Sequence, residues 1–165
     1  MIDGIVASRS HLCAEVLHEV ELRESRRDNL MIYGLPEHTD GSLVERKEHD
    51  ESAVQELFED VEVYNARTLE VRRVGRTIEG RPRPVKVKIE DRNSKQKILN
   101  NAKLLQRSSH FKNVYIKNDL TKLQQEEFSK LRMEMQRRRK EGEDVVIYSG
   151  QVWSRERLRN FRYQF

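Results

Sequence analysis

Seven cations, Arg72, Arg73, Arg76, Arg81, Arg83, Lys86 and Lys88, fall within the seventeen residues from 72 to 88. Five of them are arginines, whose planar guanidinium groups match phosphate oxygens and stack on base planes better than the point charge of lysine. Each phosphate so neutralised releases counterions, and engaging about five of these groups predicts a log-log salt slope of roughly −3.5 on a single strand. The block from Arg67 to Lys117 holds fifteen Lys or Arg against four acids, whereas residues 1–65 hold six basic residues against sixteen acids. Local net charges of +11 and −10 thus hide behind a whole-chain value of +4. Positive charge gathered in one block implies a polyanionic partner, with nucleic acid the leading expectation. Against this stands the plainer reading of ordinary solvated charges; clustering on a glycine-rich hairpin favours binding.

A second group lies in the last third of the chain. Arg137-Arg138-Arg139-Lys140, Tyr148, Trp153, Arg155, Arg157, Arg159 and Arg162 interleave cations with aromatics, a composition suited to single strands through stacking and charge. The 137–140 run equally suits the carboxyl-terminal dipole of a helix, and a lone tryptophan is more often a core residue.

Catalytic chemistry is not visible in the sequence. It contains no P-loop, no dinucleotide-binding glycine fingerprint, no HExxH and no nucleophile elbow. The five histidines are scattered without paired metal-ligand spacing, and the acids of residues 37–62 read as a polar loop and a solvated helix face. One cysteine, Cys13, excludes an internal disulfide framework or a cysteine-built zinc site and fits a reducing compartment. The expectation is therefore a protein without enzymatic activity, metal or cofactor. No basic leader followed by an apolar run begins the chain, and no window approaches the ~20 apolar residues of a membrane span, so an intracellular, soluble protein with no membrane partner is expected. With 165 residues, 36% apolar and 36% charged, one or two small domains with much solvated surface are expected.

The elements that must position these cations can be read from periodicity. Residues 2–27 form an amphipathic helix; Val6, Cys13 and Val20 lie seven apart with Val16 between, while Arg9 and Arg23 interrupt the seam, so a coiled-coil stub and a helix packed on its own domain both fit. Asn29-Leu-Met-Ile-Tyr33 before Gly-Leu-Pro reads as a first strand. His49 to Val61 places Val54, Leu57, Phe58 and Val61 on one helical stripe. Thr68 to Val74 reads as a second strand with Leu69 and Val71 inward, and Gly75 to Pro84 as a loop. Pro84 to Glu90 alternates Val85, Val87 and Ile89 with Lys86 and Lys88 as a half-buried third strand. Asp91 or Ser94 caps a helix with Ile98, Leu99, Ala102 and Leu105 as its stripe, and Asn113 to Lys117 is a fourth strand.

The order β-α-β-β-α-β over about ninety residues is the split βαβ or ferredoxin-like unit, here of the RNA-recognition-motif type. Tyr33 could stand on the first strand as that motif's RNP2 aromatic does, or pack; the third strand offers no aromatics where RNP1 supplies two. Tyr115 reads as a packing residue. After Asn118, Thr121 and Gln124 have capping-box spacing before a helix to about Glu141, with Leu123, Phe128, Leu131 and Met135 as anchors. A hairpin turning at Ser149-Gly150 follows. The chain is accordingly expected to be α+β, with a helix at 1–27, a ferredoxin-like domain at 28–118 and a small helix-plus-hairpin domain at 119–165.

Arg26 to Glu37 (RRDNLMIYGLPE), Arg72 to Arg76 (RRVGR), Arg81 to Ile89 (RPRPVKVKI), Lys97 to Lys103 (KILNNAK) and Ile116 to Thr121 (IKNDLT), in this order and spacing, resemble the first-open-reading-frame proteins of LINE-type non-LTR retrotransposons. The resemblance covers most of residues 20–153. It implies a trimerising amino-terminal coiled coil, a divergent RNA recognition motif and a small carboxyl-terminal domain. It further implies low-specificity binding of single-stranded RNA and DNA, nucleic-acid chaperone activity, and residence in cytoplasmic and also nuclear ribonucleoprotein particles. Carried over onto this sequence, the contacts are Arg27 before the first strand, Arg72, Arg73, Arg76, Arg81 and Arg83, and Tyr148 on the carboxyl-terminal hairpin. Met31 stands where some members have arginine, Ser149-Gly150 replaces a common Pro-Ala, and the amino-terminal helix is much shorter than the family's stalk. Two rivals remain at this point: a protein-interaction module, and a fragment of a larger element-encoded reverse transcriptase or endonuclease polyprotein.

Overall fold

The computed structural model describes the backbone of residues 2–162 and the side chains of residues 11–161. The side chains of Val6, Arg9 and Arg162, and residues 163–165, lie outside the described residues. In chain order the elements are α1 (Ile2–Arg26), β1 (Asn29–Tyr33), α2 (Leu43–Asp60), β2 (Thr68–Arg73), β3 (Val85–Ile89), α3 (Arg92–Asn101, continued by a 3-10 turn over Ala102–Arg107) and β4 (Tyr115–Asn118). Next come α4 (Lys122–Lys140), β5 (Val145–Tyr148), β6 (Gln151–Ser154) and α5 (Arg155–Arg162). The protein is α+β, with a four-stranded antiparallel sheet and a separate two-stranded hairpin. It divides into two units, Met1–Asp119 and Leu120–Phe165.

In the first unit the strands lie in the order β2-β3-β1-β4, so β1 and β3 are central and each β-α-β crossover joins strands separated by one antiparallel neighbour. One face of this sheet is apolar: Leu30, Ile32, Val71, Val85, Val87, Ile89 and Ile116 pack with Val54, Leu57 and Phe58 of α2 and with Ile98 and Leu105. Strand alternation decides this, because the cations and tyrosines between those residues must point to the other face. Helix α2 begins six residues before the expected His49, at a capping box formed by Ser42 and Glu45. The Glu45 amide donates to Ser42 Oγ at 3.2 Å, and the Ser42 amide donates to Glu45 Oε2 at 2.6 Å. On β2 the expected inward Leu69 is 58% exposed, because the register shifts between Thr68 and Glu70 and leaves Leu69 in a bulge. Asp91 caps α3 by accepting from the amides of Asn93 and Ser94.

Gly34 ends β1 with φ +80°, and a Cβ there would stand 2.5 Å from the Asn113 carbonyl oxygen. The glycine therefore serves both the left-handed backbone and the close approach of the segment leading into β4.

The second unit has a thin core. Thr121 and Gln124 cap α4 reciprocally, yet that helix has no buried residue, and the expected anchors Leu123 and Phe128 are 45% and 43% exposed. Val145 is the apolar side chain of this unit, among the described residues, that is fully buried. The hairpin turns at Ser149 (φ 48°) and Gly150 (φ 73°), two positive φ values that match a type I′ turn and the twist of its strands. Helix α5 forms where the sequence suggested only a basic tail.

Candidate nucleic-acid interface

The face of the first sheet opposite its core carries charge and aromatic rings in register. Across the strands, Arg72 of β2 pairs with Lys86 of β3, Lys86 with Met31 of β1, and Met31 with Lys117 of β4. Two residues along, toward the Asn29 end of β1, Glu70 pairs with Lys88, and in the opposite direction along β1 and β4 Tyr33 pairs with Tyr115. Tyr115, expected to pack, is 62% exposed, and Tyr33 is 38% exposed. Lys117 Nζ lies 5.6 Å from the centre of the Tyr33 ring, a cation–π contact within this face. Arg72 Nε is 2.8 Å from Glu70 Oε1, an exposed ion pair of the kind that contributes little and exchanges readily for a stronger anion. Among the described residues no ion pair engages Lys86, Lys88 or Lys117.

Arg73 does something different from its neighbour. Strand alternation turns it to the helix side, where only 5% of its side chain is exposed. All five of its N–H donors are used inside the protein. Nε donates to both Asp50 oxygens at 3.1 and 3.0 Å, Nη2 to Asp50 Oδ1 at 2.6 Å and the Pro36 carbonyl at 2.7 Å, and Nη1 to the Leu35 and Arg83 carbonyls at 2.8 Å each. Asp50 is itself a buried residue of α2, which explains its place on an otherwise solvated acidic helix face. Arg83 is likewise drawn in: its Nε and Nη2 donate to Glu37 Oε1 at 2.9 and 2.5 Å, and its backbone N–H donates to Glu37 Oε2 at 3.0 Å. These hydrogen bonds hold the Glu37 carboxyl below its ordinary pKa, against the opposing effect of burial, and raise that of Arg83. The expected phosphate contacts Arg73 and Arg83 are thus occupied as internal clamps joining β2, α2, the loop between β1 and α2, and the base of the arm.

Between those clamps the 74–84 segment projects as an arm. Its base is closed by Val74 N–H donating to the Pro84 carbonyl at 2.8 Å, and its tip by Arg81 N–H donating to the Ile78 carbonyl at 3.1 Å. Gly75 (φ +92°) and Gly80 (φ +71°) supply the left-handed residues these bends need. Arg76 and Arg81 are exposed on it, and no ion pair engages either among the described residues.

The remaining expected residues lie apart from this surface in function. Arg27, after α1, is 2.5 Å from Glu24 and 3.7 Å from Asp28, and Lys95 donates to its backbone carbonyl. In the second unit Arg137 bridges Glu134 at 2.8 Å and Glu141 at 2.6 Å, while Arg138 pairs with Glu143 and donates to the Val152 carbonyl at 3.1 Å. Arg139 donates to the Val145 carbonyl at 3.0 Å, so this run mainly ties α4 to the hairpin. The hydrogen bonds that Arg137 donates to Glu134 and Arg138 to Glu143 raise the pKa of each arginine. Tyr148 is 39% exposed beside the hairpin turn, and Trp153 packs with Phe161 (ring centres 5.7 Å apart) under the Arg157 guanidinium.

The structure therefore brings Arg72, Arg76, Arg81, Lys86 and Lys88 to the open face and arm of one unit, and adds Lys117, Tyr33 and Tyr115. Lys117 and Tyr115 alternate with the inward Val114 and Ile116, a pattern that identifies them as outward once one face of β4 is known to cover the core. No three or more His, Cys, Asp or Glu among the described residues are grouped to hold a metal ion, and no helix among them is long and apolar enough to cross a membrane. No protein-family model matches the chain, and no curated protein matches it in sequence.

Proposed function

We propose that this chain is a non-enzymatic protein that binds single-stranded RNA and DNA with low sequence preference, on a ferredoxin-like sheet of the RNA-recognition-motif type. The observation that carries this reading is the open sheet face and adjoining arm, where five cations, Arg76, Arg81, Lys86, Lys88 and Lys117, have no acidic partner among the described residues. Unpaired cations beside exposed rings suit a phosphate backbone with its bases turned to the protein. The β2-β3-β1-β4 strand order supports the ferredoxin-like assignment.

On this reading the protein is kin to LINE first-open-reading-frame proteins and serves as a nucleic-acid chaperone within a retrotransposon ribonucleoprotein particle in the cytoplasm. Helix α1 supports self-association: Leu12, Val16, Leu17 and Val20 are each more than half exposed along it, an apolar row that a second and third copy would cover. The test is fluorescence anisotropy with labelled single-stranded RNAs of unrelated sequence, a matched DNA strand, and duplex competitor at one fixed salt. Similar affinities for the single strands, with weak competition by duplex, are expected. Absence of binding at low salt, or a strong preference for one sequence, would overturn the proposal.

A further inference from the structure

From Arg92 to Asn118 the chain carries seven cations and no Asp or Glu. Elsewhere the surface of this unit mixes the two signs, as Lys47 and Glu51 do on α2, so a long run of one sign marks a field rather than ordinary solvation. Four of the seven are already engaged. Lys117 lies on the open face, Arg92 is 3.5 Å from Asp28, Lys95 donates to the Arg27 carbonyl, and Lys97 stands within electrostatic reach of the Asp91 cap. Lys103 and Arg107 on the 3-10 turn, and Lys112 after it, remain. All three are exposed, and among the described residues no acid pairs with any of them.

The segment that carries these three is firmly set. Ser108 Oγ donates to Asp60 at 2.5 Å and accepts from the amides of Phe111 and His110 at 2.9 and 3.2 Å. Val114 N–H donates to the Phe111 carbonyl at 2.9 Å, closing a turn whose outer residues are buried and whose inner pair, Lys112 and Asn113, is exposed. The 3-10 turn packs on β4, an edge strand with no further strand beside it among the described residues. Lys103 and Arg107 therefore lie on the helix side of the edge whose open face carries Lys117, and Lys112 sits at the corner where β4 begins. The exposed uncharged residues between them, Gln106, Ser109 and Asn113, are hydrogen-bond donors of the kind that contact phosphates and sugars.

We infer that a single strand leaving the open face turns round the β4 edge and continues on the helix side, its phosphates held in order by Lys112, Arg107 and Lys103. The inference rests on the nucleic-acid reading above and adds a second surface to it, so that this unit binds a longer stretch than its sheet can cover. Charge chooses the occupant: exposed cations without acidic partners, spaced by amides and a hydroxyl, suit a chain of phosphates. Stiffness chooses its form, because a duplex cannot turn round the edge of one small sheet, whereas a single strand bends at each nucleotide. Asp60 of α2 reaches the end of the 3-10 turn and limits the track there, its carboxylate taken up by Ser108 Oγ.

The experiment uses the full chain and two labelled oligouridylates, of about five and about fifteen nucleotides, the shorter matched to the sheet and the longer to sheet and helix side together. Anisotropy titrations across a salt series compare wild type with Lys103→Gln/Arg107→Gln/Lys112→Gln. The three lost contacts should make the long-probe slope shallower by about 2 and leave the short-probe affinity within about twofold. Lys103→Arg/Arg107→Lys/Lys112→Arg keeps the charge and should keep the long-probe slope, which separates lost contacts from a disturbed turn. A long-probe slope unchanged by the Gln substitutions, a slope lost by both triple variants, or equal weakening of both probes overturns the helix-side track and leaves the open-face grip standing. No binding of either probe by wild type overturns the nucleic-acid reading itself and the track with it.

Discussion

Arg72 and Arg73 are adjacent in sequence and opposite in consequence. Arg73 spends every donor on Asp50 and three backbone carbonyls, while Arg72 lies on the open face with 54% of its side chain exposed. Removing a partner from a buried ion pair strands a charge, so Arg73→Ala is expected to cost about 3–5 kcal/mol. Arg72→Ala should stay within about 0.5 kcal/mol. Chemical denaturation of both variants decides this; similar midpoint shifts would refute the division of roles. The Glu37–Arg83 pair carries a pH dependence whose sign is set by the lowered Glu37 pKa. A carboxyl held below its ordinary 4.5 in the folded state contributes stability that is fully present above that value and lost as pH falls through the folded pKa. The stability gap between wild type and Arg83→Ala should therefore be larger at neutral pH than near about pH 3, as denaturation midpoints at the two pH values will show. A gap that widened on acidification would contradict the pairing. Residue type alone announced the cluster of arginines, but separating clamps from free cations required knowing the strand phase and the position of Asp50 on α2. Alternation could have supplied half of that answer: Val71 inward and Arg72 outward put Arg73 on the helix side.

At the scale of elements, periodicity located the buried stripe of α2 well, since Val54, Leu57, Phe58 and Val61 are all at 0% exposure. The helix start is hidden from periodicity because charge dominates residues 43–53; the reciprocal hydrogen bonds of Ser42 and Glu45 fix it. Leu69 departs from its expected inward place for a physical reason as well: a bulge breaks the two-residue period of β2. Glycine positions differ in what they permit. A Cβ on Gly34 would meet the Asn113 carbonyl oxygen at 2.5 Å, whereas nothing lies within 4 Å of one on Gly80. Both have positive φ, which costs an alanine about 1–2 kcal/mol, so Gly34→Ala should destabilise by clearly more than Gly80→Ala. Thermal melts of the two variants compare them directly, and equal losses would mean that β1 and the segment before β4 are less tightly joined than the backbone shows.

At the scale of the whole molecule, the two units have unequal cores. The sheet of the first encloses a contiguous apolar cluster, while among the described residues of the second Val145 alone is a fully buried apolar side chain. The second unit should therefore unfold at lower denaturant. Trp153 is the chain's one tryptophan and lies in that unit, so its fluorescence change should precede the loss of far-ultraviolet circular dichroism. Coincident transitions would show that the units unfold together. The charge asymmetry along the chain is legible from sequence, but its +11 block spans the arm, the open face, two internal clamps and the cations of α3 and its 3-10 continuation, so only part of it forms one surface. The tyrosine pair was not legible, because its pairing depends on a register between strands more than eighty residues apart.

The central claim is that unpaired cations of the arm and sheet grip phosphates. It is tested most directly by single-stranded RNA binding across a salt series for wild type and Arg76→Ala/Arg81→Ala. Each lost phosphate contact removes about 0.7 from the log-log slope, so the variant's slope should be shallower by about 1.4. A slope unchanged by the two substitutions would contradict the account.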